Sequence, residues 1–350
     1  MPIYMDRHDV SEAVTAENVA QLHQADLKIQ NEFGCRGLTY WFDEKRKTAF
    51  CLIEAPTERA IEEMHSHAHG QVPHRVIEVD TTIVESFLGR IEDPATAQNT
   101  NLNIINDPAF RTILKIRLMN ATSNGMKSVA ETVLHFDGRI VNQTEGDFLA
   151  SFVSVTKAVN CALEIQSKLK ETTNNGLKIG LSAGVPVTEK KVIFEGTIKS
   201  AERMLYIAKA QIVVSSEVKD LYKSENLNRF IEGEQVLALS PTDELFLNRL
   251  IDFVEKEWSN CKLSVDDFNT HLGYSKSQLY RKMIALIGES PINFLMSYRL
   301  DRSLTLFDKE TGNISEIAFE SGFSDPSYFS KCFHRKHGLS PSDYLRINRR

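Results

Sequence analysis

The sequence is short of the features that would set it apart from ordinary globular proteins. Its 350 residues include only five cysteines, Cys35, Cys51, Cys161, Cys261 and Cys332, with no C-x-x-C pair. That scatter argues against a disulfide framework or a zinc finger. No apolar run approaches the ~20 residues needed to cross a bilayer, and no secretory leader opens the chain, so it reads as cytoplasmic with no membrane partner. Nor is there an excess of basic charge: 41 Lys and Arg stand against 47 Asp and Glu, a formal net charge of -6. Residues 240–350 hold acids and bases in equal number, so the negative charge falls on residues 1–239 and argues against nonspecific attraction of that part to nucleic acid. With 42% hydrophobic and 25% charged residues, the length suits two or three domains.

What is present is an internal repeat. Leu272-Gly273-Tyr274-Ser275 is followed by Gly288-Glu289-Ser290-Pro291, and Ser321-Gly322-Phe323-Ser324 by Gly338-Leu339-Ser340-Pro341. In each copy the glycine permits a tight turn between two short helices, the aromatic fills the core beneath it, and the serine caps the next helix. Each copy therefore reads as a helix-turn-helix. In the second helix of the first copy, Leu279, Met283, Leu286 and Ile287 have inward spacing, leaving Lys276, Ser277, Gln278, Arg281 and Lys282 outward. In the second copy Tyr328, Phe329, Cys332 and Phe333 are expected in the core, with Ser327, Ser330, Lys331, His334, Arg335 and Lys336 outward. Between the copies Pro291 opens a spacer helix.

On these motifs, with Arg299-Leu300 in the spacer and Gly338, Ser340, Pro341 and Tyr344 at the end, residues from about 243 to 350 resemble the DNA-binding domain of the AraC/XylS family of bacterial transcription regulators. The resemblance implies double-stranded DNA as partner and two recognition helices in successive major grooves, ~34 Å apart. The eleven outward residues named above are then the candidate DNA contacts, and Lys331, Arg335, Lys336, Arg346, Arg349 and Arg350 form a basic strip suited to phosphates.

The polar stretch from Glu92 to Asn101 reads as a linker, and the pattern breaks again between Lys223 and Glu234. Domains are expected at 1–92, 106–239 and 240–350. In the first, a strand from Pro2 to Arg7, a helix from Ala16 to Phe33 capped by Thr15, a hairpin of Gly37–Phe42 and Thr48–Glu54, a helix capped by Thr57 and a strand from Arg75 to Val79 give a βαββαβ order, the ferredoxin-like α+β class.

Six of the ten histidines fall in this segment. His65 and His69 are four apart on one helix, and His23 and Asp26 three apart on another. Imidazoles with a carboxylate suit nickel, zinc, copper or iron, so His8, His23, Asp26, His65 and His69 are the candidate metal ligands. The alternative is solvated or backbone-bonded histidines, and His67 points off the shared face. The segment resembles a family of small ferredoxin-fold domains described as nickel-binding-protein-like, through Met5-Asp6-x-His8, His23-x-x-Asp26-Leu27, Tyr40-Trp41, Phe50 to Pro56 and His65-x-x-x-His69-Gly70. That resemblance implies nickel or another transition metal as cofactor.

The middle segment reads as an α/β unit: strand Ile113–Leu118, helix Met126–Phe136, hairpin Arg139–Phe152, helix Val155–Lys170, strand Leu177–Val187, helix Ile198–Ala208 and strand Ile212–Val214. Through Gly138-Arg139-Ile140-Val141, Gly146-Asp147-Phe148 and Ala201-Glu202-Arg203 it resembles the class III nucleotide cyclase catalytic domain. Asp147 matches a metal-holding aspartate, but Lys115, Ile116 and Arg117 stand where the first-strand aspartate belongs. Arg203 remains of a transition-state pair, and Lys199 replaces its asparagine. With one metal ligand gone, the expectation is a degenerate domain, not an enzyme, with no catalytic residue, kept for homodimerisation or ligand sensing. The whole reads as a transcription regulator with a metal or small-molecule effector; the alternative is a nucleotide cyclase fused to a DNA-binding module.

Overall fold

The computed structural model describes residues 1–94, 102–119, 121–169, 176–207, 212–226, 235–308 and 313–348. Residues 95–101 of the expected linker, much of the break before residue 235, Lys170, Ala208, Arg349 and Arg350 lie outside the described residues. The chain forms two compact units, Met1–Leu205 with Ala210–Ser240, and Pro241–Arg350 with Tyr206–Lys209. Both segments expected as separate domains, 1–92 and 106–239, fall in the first unit, apart from Tyr206–Lys209. No helix among the described residues is long and apolar enough to cross a membrane.

The first unit opens with β1 (Ile3–Asp9), α1 (Ala16–Ile29), β2 (Arg36–Asp43), β3 (Thr48–Glu54), α2 (Glu58–Ala68) and β4 (Arg75–Val79), then α3 (Thr81–Leu88). The strands form an antiparallel sheet ordered β2-β3-β1-β4. Thr15 and Thr57 cap α1 and α2 as their positions dictate, while the last expected turn of α1 tightens to a 3-10 turn at Gln30–Phe33. Strand alternation sends Tyr40 and Trp41 to opposite faces, yet both are fully buried. Tyr40, Phe42 and Ile53 pack with Ala20, Ile61 and Met64 of α1 and α2, whereas Met5, Trp41, Phe50 and Leu52 pack with Val84, Phe87, Ile113 and Phe194. This sheet is therefore covered on both faces, the second by α3 and the middle segment.

That segment contributes β5 (Arg111–Leu118), α4 (Ser123–His135), β6 (Arg139–Gln143), β7 (Asp147–Phe152), α5 (Val155–Leu169), β8 (Leu177–Gly184), α6 (Glu195–Met204), β9 (Ile212–Val214), α7 (Ser216–Glu225) and β10 (Val236–Ala238). The sheet order is β10-β9-β8-β5-β7-β6, parallel across β8, β9 and β10 and antiparallel elsewhere. The buried Arg111 guanidinium donates to the carbonyls of Phe87 at 3.2 Å and Leu88 at 3.3 Å, closing the C-terminal end of α3. Ser151 Oγ donates to the same Phe87 carbonyl at 2.8 Å. The two sheets are thus joined by polar groups as well as by a shared core.

The second unit is helical: α8 (Pro241–Glu257), α9 (Val265–Leu272), α10 (Lys276–Leu286), α11 (Pro291–Asp308), α12 (Ile314–Glu320), α13 (Pro326–His337) and α14 (Pro341–Asn348). Gly273 and Gly322 sit at φ 76° and 78°, the left-handed region that the repeated turn requires. Ser275 caps α10 as expected, but in the second copy the cap is Asp325, not Ser324. Pro326 occupies the first helical position, and the carboxylate just before it accepts from Ser327 N–H at 2.7 Å and Tyr328 N–H at 3.3 Å. Arg299 of α11 donates to the carbonyls of Trp258 and Asn260, both at 2.7 Å, bracing the end of α8.

Candidate functional site

Alternation along β1 places Tyr4, Asp6 and His8 on the face covered by α1 and α2. Asp26 is near the end of α1 and His65 near the end of α2. His69 is the C-cap residue of α2, so the helical i,i+4 spacing still delivers its ring beside that of His65. Three donor atoms meet here: His65 Nδ1 is 3.0 Å from Asp26 Oδ1 and 3.2 Å from His69 Nε2, and His69 Nε2 is 3.1 Å from Asp26 Oδ1. The edges of this triangle are nearly equal. Donors bound cis to one octahedral ion at roughly 2.0–2.2 Å lie about 3 Å apart, so the triangle has the dimensions of an octahedral face.

Hydrogen bonding satisfies the same triangle poorly. If both rings donate to Asp26, their N–H groups confront each other; if His65 donates to His69, Asp26 is left without a donor of its own among the three. An ion engages all three lone pairs at once, and the set of two imidazoles and one carboxylate suits a divalent transition metal. Behind it, His65 Nε2 lies 2.9 Å from Asp6 Oδ2, the arrangement in which a carboxylate fixes the tautomer and orientation of a ligating imidazole.

Without an ion, charge settles on His65. Burial would lower its pKa, but hydrogen bonds and attraction from Asp26 and Asp6 outweigh burial and raise it to about 10. Burial would likewise raise Asp6, yet the facing His8 and His65 hold it far below the usual carboxylate range; Asp26 is lowered by His65 and His69 against the same burial. A metal entering the triangle must therefore displace a proton.

Of the five ligands expected from the sequence, Asp26, His65 and His69 come together. His8 belongs to a second group with Asp6 and Cys51, whose ligand atoms also lie within 4.8 Å of one another. His23 stands apart from both groups: it is buried 4.9 Å from the Tyr40 ring, and burial lowers its pKa. The sequence reading missed Asp6 and Cys51 as donors, although the Met5-Asp6-x-His8 alternation held the signal for Asp6. His67 is exposed, as expected, with Nδ1 2.8 Å from the Glu63 carbonyl.

At the positions that the sequence resemblance singled out in the middle segment, Lys115 Nζ lies 3.7 Å from Asp147 Oδ1 and 3.6 Å from Glu202 Oε1, with Arg117 Nε 3.3 Å from Asp147 Oδ1. Two cations therefore attend Asp147. Lys199 pairs with Glu195 at 2.7 Å, and Arg203 is buried on α6.

In the second unit Leu279, Met283 and Leu286 are buried in α10, as are Phe329, Cys332 and Phe333 in α13. Tyr328, expected in the core, is 50% exposed, because the helix starts one residue later than the aligned serine cap would set it. Lys276, Ser277, Gln278, Arg281, Ser327, Lys331, His334, Arg335 and Lys336 are exposed, with Lys276 paired to Asp266 at 2.8 Å. Four of the outward candidates also engage the protein itself. Lys282 pairs with Asp243 and lies over Phe246, and Lys336 pairs with Asp301 at 2.7 Å and donates to the Ser297 carbonyl. Gln278 Oε1 accepts from Ser275 in a capping box, and Ser330 Oγ donates back to the Pro326 carbonyl.

Residues 269–347 match the helix-turn-helix domain family, and residues 4–79 match the family described as nickel responsive protein SCO4226-like. The chain thus carries a helix-turn-helix domain towards its C-terminal end and, at its N-terminal end, an α/β domain similar to that family. Among individual relatives, histidine kinase P4 of Formosa agariphila is 35% identical over 108 residues, 31% of this chain and 8% of that protein. The transcriptional regulatory protein HptR of Staphylococcus aureus is 27% identical over 144 residues, 40% of this chain and 56% of its own. The chain covers less than two thirds of each. The crystal structure of SCO4226 from Streptomyces coelicolor A3(2) is 30% identical, covering 22% of this chain and 94% of that one, with a TM-score of 0.21.

Proposed function

We propose that the protein is a sequence-specific transcription regulator, not an enzyme, acting in the cytoplasm, whose DNA affinity depends on a metal held in the first unit. The observation that carries the reading is the repeated turn: two glycines at matching φ, each followed by a capped helix with a buried apolar stripe and an exposed basic edge. Arg281 and Lys331, with Lys276, Ser277, Ser327, His334 and Arg335 around them, supply contacts to bases and phosphates. Gln278, Lys282, Ser330 and Lys336 act mainly by holding the helices in place. Nickel, held by Asp26, His65 and His69 with Asp6 orienting His65, is the proposed effector metal, and its binding shifts the population of DNA-competent states. We assign residues 1–92 to a ferredoxin-like sensor, 106–239 to a degenerate cyclase-like domain that dimerises the chain, and 240–350 to the DNA reader.

The test is selection of a binding site from random duplexes, followed by footprinting with and without nickel. Sequence-selective protection whose affinity moves with nickel supports the reading. Protection without selectivity sinks the regulator, and selective protection indifferent to nickel sinks the metal as effector.

A further inference from the structure

The metal triangle forms part of the lining of a cavity of about 410 Å³. Its other walls include Val10, Val14, Val19, Leu22 and Val72, and Val72 is 46% exposed at the rim. Three waters completing an octahedron around one ion need only about 90 Å³ at ~30 Å³ each. That is a fraction of the space, part of it walled by aliphatic side chains, and the volume falls in the range of sites for small organic molecules, roughly 300–1,000 Å³.

We infer that the metal is received together with a small anionic chelator, so that the species sensed is a metal–chelate complex. This inference rests on the metal reading above and adds the chemical class of its second component. Three protein donors on one face of an octahedral ion leave the opposite face for other ligands. Asp26 supplies the one carboxylate in the triangle. Asp6 stays outside the ion's own ligand set, 2.9 Å from His65 Nε2 on the far side of that imidazole, so it fills none of the open positions. An α-hydroxy carboxylate, an α-amino carboxylate or a hydroxamate places two donors close enough to fill two cis positions. A branched aliphatic tail would cover the valines and Leu22, which water solvates poorly.

The experiment uses the full chain and begins with a calorimetric titration of nickel alone. No binding overturns the metal reading, and this inference with it. If nickel binds, the nickel-loaded and metal-free proteins are each titrated with 2-hydroxy-4-methylpentanoate, leucine and 4-methylpentanohydroxamate, and with 4-methylpentanoate, which keeps the tail and lacks the second donor. The visible nickel absorption is followed throughout.

The expected result is binding of at least one chelator to the nickel-loaded protein alone. It should shift the nickel bands and be roughly tenfold or more tighter than 4-methylpentanoate, because the second donor binds intramolecularly. Leu22→Trp, which fills the cavity, should weaken the chelator at least as much, and nickel titration of that variant reports whether the triangle survives. Nickel binding with bands unmoved by every chelator overturns the inference. So does equal affinity for 4-methylpentanoate, equal affinity of the metal-free protein, or chelator binding undiminished in Leu22→Trp.

Discussion

His65 stands between two buried carboxylates, and its titration gives the metal-free protein a distinctive response to base. Its folded pKa of about 10 lies above the ordinary value of 6.5, so the stability it contributes is fully present below pH 6.5 and is lost as pH rises through 10. Unfolding free energies from urea titrations with a metal chelator present should fall across that window, by at most a few kcal/mol, and the fall should flatten in His65→Gln. Asp6 and Asp26 act in the opposite sense: their lowered values contribute stability above the ordinary carboxylate range that is lost on acidification. A second contrast lies in the paired glycines. Alanine at Gly273 meets open space and bears only the left-handed backbone cost, about 1–2 kcal/mol. At Gly322 the same change also puts Cβ 2.6 Å from the Trp258 carbonyl and 2.8 Å from Arg299 Nε. Thermal melts should therefore show Gly322→Ala as the more damaging substitution by about 1–3 kcal/mol.

Helices α10 and α13 carry both the basic residues proposed to meet DNA and others that pair within the protein, and substitution should separate the two groups. Arg281→Ala and Lys331→Ala should weaken DNA binding, lowering the salt slope by about one if the contact is to phosphate and relaxing preference at one base if it is to a base edge. Lys282→Ala and Lys336→Ala, which remove partners of Asp243 and Asp301, should show mainly in thermal stability; anisotropy against salt concentration checks both sets. How much of this was legible follows from how local each signal is. Thr15, Thr57 and Ser275 were readable as caps because a cap is written in four consecutive residues. Tyr328 was misplaced because the apolar period was carried over from the first copy, whereas Pro326 resets the start of the second. Helix α3 and strand β10 escaped a pattern search because their roles depend on distant partners: Phe87 packs on Phe194, and β10 pairs with β9. Cys51 became visible as a donor only when β3 met β1 in space, whereas the alternation along β1 already held the signal for Asp6.

Between its two compact units the protein must pass a signal if nickel is to act on DNA. Loading with nickel should change affinity for the selected duplex, and a chelator should reverse the change; proton release measured in buffers of different ionisation enthalpy should approach one per ion at neutral pH, since His65 enters the reaction protonated. Incubation with ATP or GTP and manganese should yield no cyclic nucleotide, because Lys115 and Arg117 both attend Asp147. The chain's two tryptophans fall one to each unit. Trp41 is sealed within the first sheet with Arg90 stacked 4.4 Å above it, and Trp258 is partly exposed at the end of α8. Their emission should accordingly resolve by wavelength, Trp41 to the blue and Trp258 to the red. The protein therefore contains one optical reporter in each unit: a change confined to the blue component follows the first unit, and a change confined to the red component follows the second.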